Sequence, residues 1–201
     1  MIVWLNGPFG GGKTSLAREI VATRPGHRLY DPELVGYLVR DMVGEPPSGD
    51  FQDAPIWRSL VVRTALELLH HYGELLVVPM SVLRPDYLAE IHGGLRDHGV
   101  ELHHFFLEVD APELRRRIEA QVIHEDDPVR DADVRKWRLD QVERCLAARR
   151  LMPRDTVFID SQGNTPEGNA GTVMDIVARN SRTPRDLFPR PTETESPEAT
   201  L

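Results

Sequence analysis

Apolar residues in this chain come in two kinds of block. Short unbroken runs alternate with longer stretches in which apolar residues recur every three or four positions, the signatures of buried strands and of helices packed by one face. Ile2 to Leu5 form the first run, and Leu16, Ala17, Ile20 and Val21 mark a helical face from Lys13 that stops at Pro25-Gly26. A second run, His27 to Tyr30, ends in Asp31-Pro32-Glu33. Two helical segments then follow with no strand between them, Leu34 to Val43 and Ile56 to Tyr72, the latter with Ile56, Leu60, Val61, Ala65 and Leu68 at helical spacing. Gly44 to Asp50, rich in glycine and proline, separates them as a surface loop.

Leu75 to Val78 make the third strand, and a helix from Asp86 to His98 stops at Gly99. The fourth strand lies within Glu101 to Val109. Asp110-Ala111-Pro112-Glu113 then opens a helix with an N-cap, an early proline and an acid in the first turn. From Val122 to Asp133 the chain is polar and acidic, and it reads as a lid before Val134, Trp137, Gln141, Cys145 and Leu146 restore a helical face. Thr156 to Ile159 are the fifth strand, and a last helix starts at Thr165-Pro166-Glu167 with Val173, Ile176 and Val177 buried. Strand and helix in this alternation predict an α/β fold, a parallel sheet covered by helices. One domain is expected over residues 1–180, with an insertion at 34–73, a lid at 118–138 and a disordered tail at 181–201 that is rich in Pro, Thr and Glu. No internal repeat is present.

At 201 residues and 40% hydrophobic content, a single domain with a substantial core is the natural size. The balance of 24 basic against 32 acidic residues, a net charge of −8, opposes a nucleic-acid backbone as partner, because polyanion binding needs a clustered positive field. Cys145 is the single cysteine, so no internal disulfide forms and a reduced cytoplasmic setting is expected, with the thiol buried as a small apolar group. No apolar run approaches the ~18 residues of a membrane span, and the N-terminus enters a strand rather than a secretion signal.

Residues 7 to 15 read Gly7-Pro8-Phe9-Gly10-Gly11-Gly12-Lys13-Thr14-Ser15, which satisfies G-x-x-x-x-G-K-[ST] directly after a strand and at the start of a helix. Backbone N–H groups of such a turn converge on one point and attract phosphate. Lys13 is expected to reach the terminal phosphates of ATP, and the Thr14 hydroxyl to hold Mg²⁺. Asp31 and Glu33 lie at the carboxyl edge of the sheet, where open α/β sheets bind ligands. There Asp31 either accepts the proton of an acceptor hydroxyl or binds Mg²⁺ through water; as a helix N-cap it would need neither role.

No acid follows Leu75-Leu76-Val77-Val78, where Pro79-Met80-Ser81 stand instead, which disfavours an ATP-driven motor. The chain also lacks an Asn-Lys-x-Asp segment for guanine recognition. Arg115, Arg116 and Arg117 span about 200° of a helix, so one or two of them can face a nucleotide, and Arg117 is the chosen one. Arg130, Arg135 and Arg138 cross the lid. Tyr37, Phe51 and Trp57 wall an apolar acceptor pocket or serve as core, with Ser81 and Arg84 nearby after the third strand. The pairs His70-His71 and His103-His104 diverge too far to form two-ligand metal sites.

These residues give the chain a resemblance to the tunicamycin-resistance family of phosphate-loop proteins, in the nucleoside-monophosphate-kinase-like group with shikimate kinase and chloramphenicol phosphotransferase. It rests on Val3 to Thr14, on Asp31-Pro32-Glu33 with Val35-Gly36, on Val78-Pro79-Met80-Ser81 and on the Gln141 to Cys145 helix, and it spans residues 1–180. The resemblance implies a three-layer P-loop NTPase fold with five parallel strands in the order 2-3-1-4-5, a substrate-binding helical insertion after the second strand and a lid after the fourth. It implies ATP binding and phosphoryl transfer to a small-molecule hydroxyl, such as that of a nucleoside-type antibiotic. In one departure, the lid arginine expected about four residues after Arg117 is Gln121. A nucleotide-gated protein that sequesters its ligand without turnover, and a toxin-like kinase of nucleotide sugars, are the competing functions.

Overall fold

In the computed structural model, which describes residues 1–181, five parallel strands stand in the order β2-β3-β1-β4-β5. They are β1 (Ile2–Asn6), β2 (His27–Leu29), β3 (Leu75–Pro79), β4 (Leu102–Glu108) and β5 (Val157–Asp160). Strand order and layering are those implied by the family resemblance. The apolar runs predicted β1 and β3 well, because both are buried at every position, as central strands of a doubly covered sheet must be. The tail expected to be disordered lies, from residue 182 on, outside the described residues.

Eight α-helices among the described residues accompany the sheet: α1 (Lys13–Ala22), α2 (Pro32–Val43), α3 (Pro55–Tyr72), α4 (Pro85–Asp97), α5 (Ala111–Ala120), α6 (Pro128–Asp140), α7 (Val142–Ala148) and α8 (Pro166–Asn180). α1 and α8 cover one face, where Val3, Leu5, Val77, Phe105 and Leu107 meet Leu16, Ile20 and Val173. α2, α3 and α4 cover the other, where Ile2, Trp4, Leu76 and Val78 meet Val61, Leu88 and Ile91. Successive strand residues supply opposite faces, the period of two inherent in a pleated strand. The segment α5 to α7 forms its own small core of Leu114, Ile118 and Val142 with Leu139 and Leu146.

Six helices begin with proline in the first turn, and Asp31, Asp110, Asp127 and Thr165 each cap one by accepting a backbone N–H. α1 differs: its N-cap is Gly12, left-handed at φ 93°, with no capping side chain and no acid in the first turn. Its first N–H groups are thus left for something other than the protein. The helical face expected across Val134 to Leu146 is two helices, broken at Gln141, and the expected lid loop is shorter than its polarity suggested because Asp127 caps α6 at Pro128. Polar composition does not forbid a helix whose one apolar stripe is narrow.

Candidate phosphate-binding and acceptor site

The loop between β1 and α1 is shaped by glycine. Gly7, Gly10 and Gly12 have φ of 136°, 78° and 93°, a region costly for other residues. A Cβ on Gly10 would sit 2.9 Å from Ile118 Cγ1, and one on Gly11 2.9 Å from the Pro8 carbonyl oxygen. Asn6, wholly buried, pins the loop from below: its Oδ1 accepts from Gly7 N at 2.8 Å and Val82 N at 3.0 Å, and its Nδ2 donates to Val82 O at 2.8 Å. Ser81 Oγ donates to Gly7 O at 2.8 Å. The cradle, with its uncapped helix start, its cation and two exposed hydroxyls at Thr14 and Ser15, fits a phosphate chain with its magnesium ion.

Lys13 Nζ donates to Pro8 O at 2.8 Å and Gly7 O at 3.2 Å. Burial lowers its pKa to about 8, against the opposing pull of Cys145 and Glu33, while Arg138 adds to the lowering. Beside the loop a cleft of about 390 Å³ runs between α1, α5 and α8, bordered by Gly12, Ser15, Arg117, Gln121 and Asn164. Of the three consecutive arginines, Arg115 pairs with Glu143 and Arg116 with Glu113, both at the surface. Arg117 alone of the three turns inward, bonding Ser161 O at 2.8 Å and Glu113 at 2.7 Å and lying next to Gly12.

Glu33 lies close enough to Lys13 for each charge to act on the other. Its pKa is raised, by burial first and by Asp31 second, with Lys13 and Arg138 pulling it back, and Tyr37 Oη donates to its Oε2 at 3.4 Å. Asp31 does cap α2, through Oδ1 and Glu33 N at 2.9 Å, a bond that engages one of its two carboxylate oxygens. Arg138 is half-buried, and desolvation lowers its pKa while Glu33 and Tyr37 favour its charge. Arg135 is instead tied to the Asp131 carboxylate and to Gln121 O, and Arg130 is exposed. Of the three lid arginines, Arg138 is the one brought to Lys13 and Glu33. Gln121 holds it, with Oε1 accepting from Arg138 Nη1 at 2.8 Å.

Three expected acceptor residues lie elsewhere or are spent. Trp57 is fully buried and donates from Nε1 to Pro32 O at 3.0 Å, so it is core, with the Phe51 ring tilted against it, centroids 5.2 Å apart. Ser81 is buried and serves the loop. Arg84 is exposed, doubly bonded to Asp86, 3.7 Å from Asp53, and stacked 4.0 Å over Tyr87. Tyr37 stays at the rim beside Phe51, at 6.5 Å. His103 bonds Glu101 and His104 faces the opposite layer, as the strand period requires. The sequence reading named Gln121 only as the residue standing where a lid arginine was expected, and it missed both the bond of Gln121 to Arg138 and the bracing of the loop by Asn6; of these, only the position of Asn6, between strand and glycine, is a local signal.

A five-stranded parallel sheet in this order with a glycine cradle and lysine at the first strand's end defines a P-loop NTPase of kinase-like build. Within that class the chain belongs to the AAA domain family, whose profile matches residues 2–151. The fold also resembles the tunicamycin resistance protein of Deinococcus radiodurans, at 25% identity and TM-score 0.65 over 88% of this chain and 94% of that one. A gluconokinase of Sinorhizobium meliloti shares the fold at 18% identity and TM-score 0.60, covering 89% and 93%. So does the APS kinase of Mycobacterium tuberculosis, solved with AMPPNP and APS, at 16% identity and TM-score 0.58, covering 88% and 96%. No curated protein matches the sequence. No helix among the described residues is long and apolar enough to cross a membrane.

Proposed function

We propose that this protein is a cytoplasmic, ATP-dependent phosphotransferase acting on a hydroxyl of a small molecule. The observation that carries the reading is the meeting of Lys13 at the uncapped α1 start with Glu33 of α2 and Arg138 of α6. ATP with Mg²⁺ supplies the transferable phosphoryl group. The loop from Gly7 to Ser15 wraps the phosphates and binds them through the backbone N–H groups at the uncapped start of α1, Thr14 offers its hydroxyl to the metal, and Arg117 borders the remainder of the nucleotide. Asp31 Oδ2 orients the acceptor hydroxyl or approaches the metal through water. Glu33, whose affinity for a proton is raised, receives the hydroxyl proton at its carboxylate. Arg138 neutralises charge on the transferring group.

On this reading the helices within residues 34–73 wall the acceptor, with Tyr37 at its rim, and residues 118–138 close over it and exclude water. Similarity to a tunicamycin resistance protein supports a nucleoside-type antibiotic as the first acceptor to try. Mass spectrometry of a panel of hydroxyl compounds incubated with ATP, Mg²⁺ and the protein should reveal a phosphorylated product. Glu33→Gln and Asp31→Asn should spare nucleotide binding by calorimetry and reduce that product. Undiminished product in both variants removes the two carboxylates from the reaction.

A second reading, a nucleotide-gated binder without turnover, draws on two features. Pro79-Met80-Ser81 bring no acid to the end of β3, and the Ser81 hydroxyl is committed to Gly7. ATP-dependent binding of an acceptor with no product formed would select it.

A further inference from the structure

Phe9 links the phosphate loop to the helix that carries Arg138. Its ring lies 4.9 Å from that of Trp137, tilted by 59°. Its side chain packs with Cys145, Ala148 and Phe106. One loop residue therefore touches both α6 and α7. Lys13 Nζ stands 5.9 Å from the centre of the same ring, and its hydrogen bonds go to the two carbonyls just ahead of Phe9, those of Gly7 and Pro8. A phosphate oxygen is a stronger acceptor for an ammonium than a peptide carbonyl is. Phosphate binding thus changes the interactions on one side of Phe9.

The other side leads to the lid. Trp137 and Arg138 are consecutive in α6, so the backbone that seats the indole also aims the guanidinium, whose end is caught by Gln121. Trp137 is 49% exposed, too open to be a major core residue. The hold of α6 and α7 on α5 comes instead from Val142, Leu114 and Ile118 with Leu139. Removing the indole should therefore leave the fold standing.

We propose that Phe9 and Trp137 are positioning residues that couple phosphate occupancy of the loop to the placement of Arg138 over the transferring group. This rests on the nucleotide-binding reading above. The contact is a coupling free energy between two sites, so loss of it should show at Arg138 even where nucleotide still binds.

The test uses the full chain with Mg²⁺ and ADP or ATP, and needs no acceptor. Trp4 and Trp57 are fully buried, which makes Trp137 the indole that reports on the loop. Its emission should change on nucleotide addition and saturate at the concentration where calorimetric heat saturates. Phenylglyoxal labelling of Arg138, mapped by mass spectrometry, should fall about fivefold with nucleotide in the native protein and less than about twofold in Trp137→Ala. Trp137→Phe, which keeps a ring against Phe9, should restore the protection. Circular dichroism melting confirms that the variants are folded. Heat without any emission change, or equal protection of Arg138 in Trp137→Ala, overturns the coupling and leaves the nucleotide reading intact. Absence of heat in the native protein overturns both.

Discussion

The two faces of the sheet are built from different chemistry. The apolar core under α1 and α8 is aliphatic apart from Phe105, with Val3, Leu5, Leu16, Ile20, Leu75, Val77 and Val173 closely packed, and the half-buried His103 of this face has Glu101 as its partner. The face under α2, α3 and α4 holds Trp4, Tyr30, Trp57, His92 and His104, and Trp4 Nε1, His92 Nε2 and His104 Nε2 are buried without a hydrogen-bond partner. The first face seats a loop whose binding groups are backbone atoms, and backbone atoms need only a firm platform. The second carries polar groups whose cost depends on conditions, and the acceptor site proposed above would draw its side chains from the helix that covers it.

The contrast can be broken most forcefully at Lys13. Lys13→Ala should lower phosphoryl transfer by about 10³-fold, the scale of removing a charge-stabilising group from a preorganised site. Initial rates with any acceptor found by mass spectrometry check it. A residual rate within tenfold of native would place the essential cation elsewhere.

Acid should attack the second face through its buried, unpartnered imidazoles. Burial lowers the pKa of His92 to about 2 and of His104 to about 4, with Arg96 of α4 lowering both and Asp155 ahead of β5 raising that of His104. Both imidazoles stay neutral in the fold near pH 5, whereas the unfolded chain protonates below its ordinary value of 6.5. Their contribution is therefore whole above pH 6.5 and is lost as pH falls. Down to pH 5 the loss is about 2 kcal/mol per histidine, ~4 kcal/mol together. Urea midpoints at the two pH values measure it; a constant midpoint contradicts the neutral pair.

Two glycine substitutions separate the faces. In Gly10→Ala the new Cβ meets Ile118 at a residue with φ 78°, and nucleotide affinity by calorimetry should fall about tenfold. Gly36→Ala would drive a Cβ to 2.7 Å from the Phe51 ring and cost about 1–3 kcal/mol of stability, with nucleotide heat unchanged. Smallest is the pH profile. The rate should rise as Glu33 loses its proton above the usual carboxylate range, and kcat/KM for ATP should fall above about pH 8 as Lys13 loses its charge. Glu33→Gln should abolish the acid limb and leave the alkaline one.

What could be read from residues alone follows the same division. The strand, the glycines, Lys13 and Thr14 form one continuous segment, and neighbours in sequence fix its geometry. Asp31 and Asp110 as caps were legible for the same reason, since a cap bonds a backbone N–H two or three residues on. Trp57 was open between pocket and core because helical spacing does not say which layer covers a ring. Arg138 was one of three candidates until Asp131 claimed Arg135 and Gln121 presented an amide across the gap.

The sequence by itself determined the alternation of strands and helices, the faces each strand presents and the phosphate cradle, because periodicity and backbone sterics act over a few residues. Tertiary structure decided which arginine faces Lys13, that Ser81 and Asn6 brace the loop, and that Trp57 is core. Those outcomes depend on which side chains, distant in sequence, compete for the same partner, and that competition is settled only when the layers close.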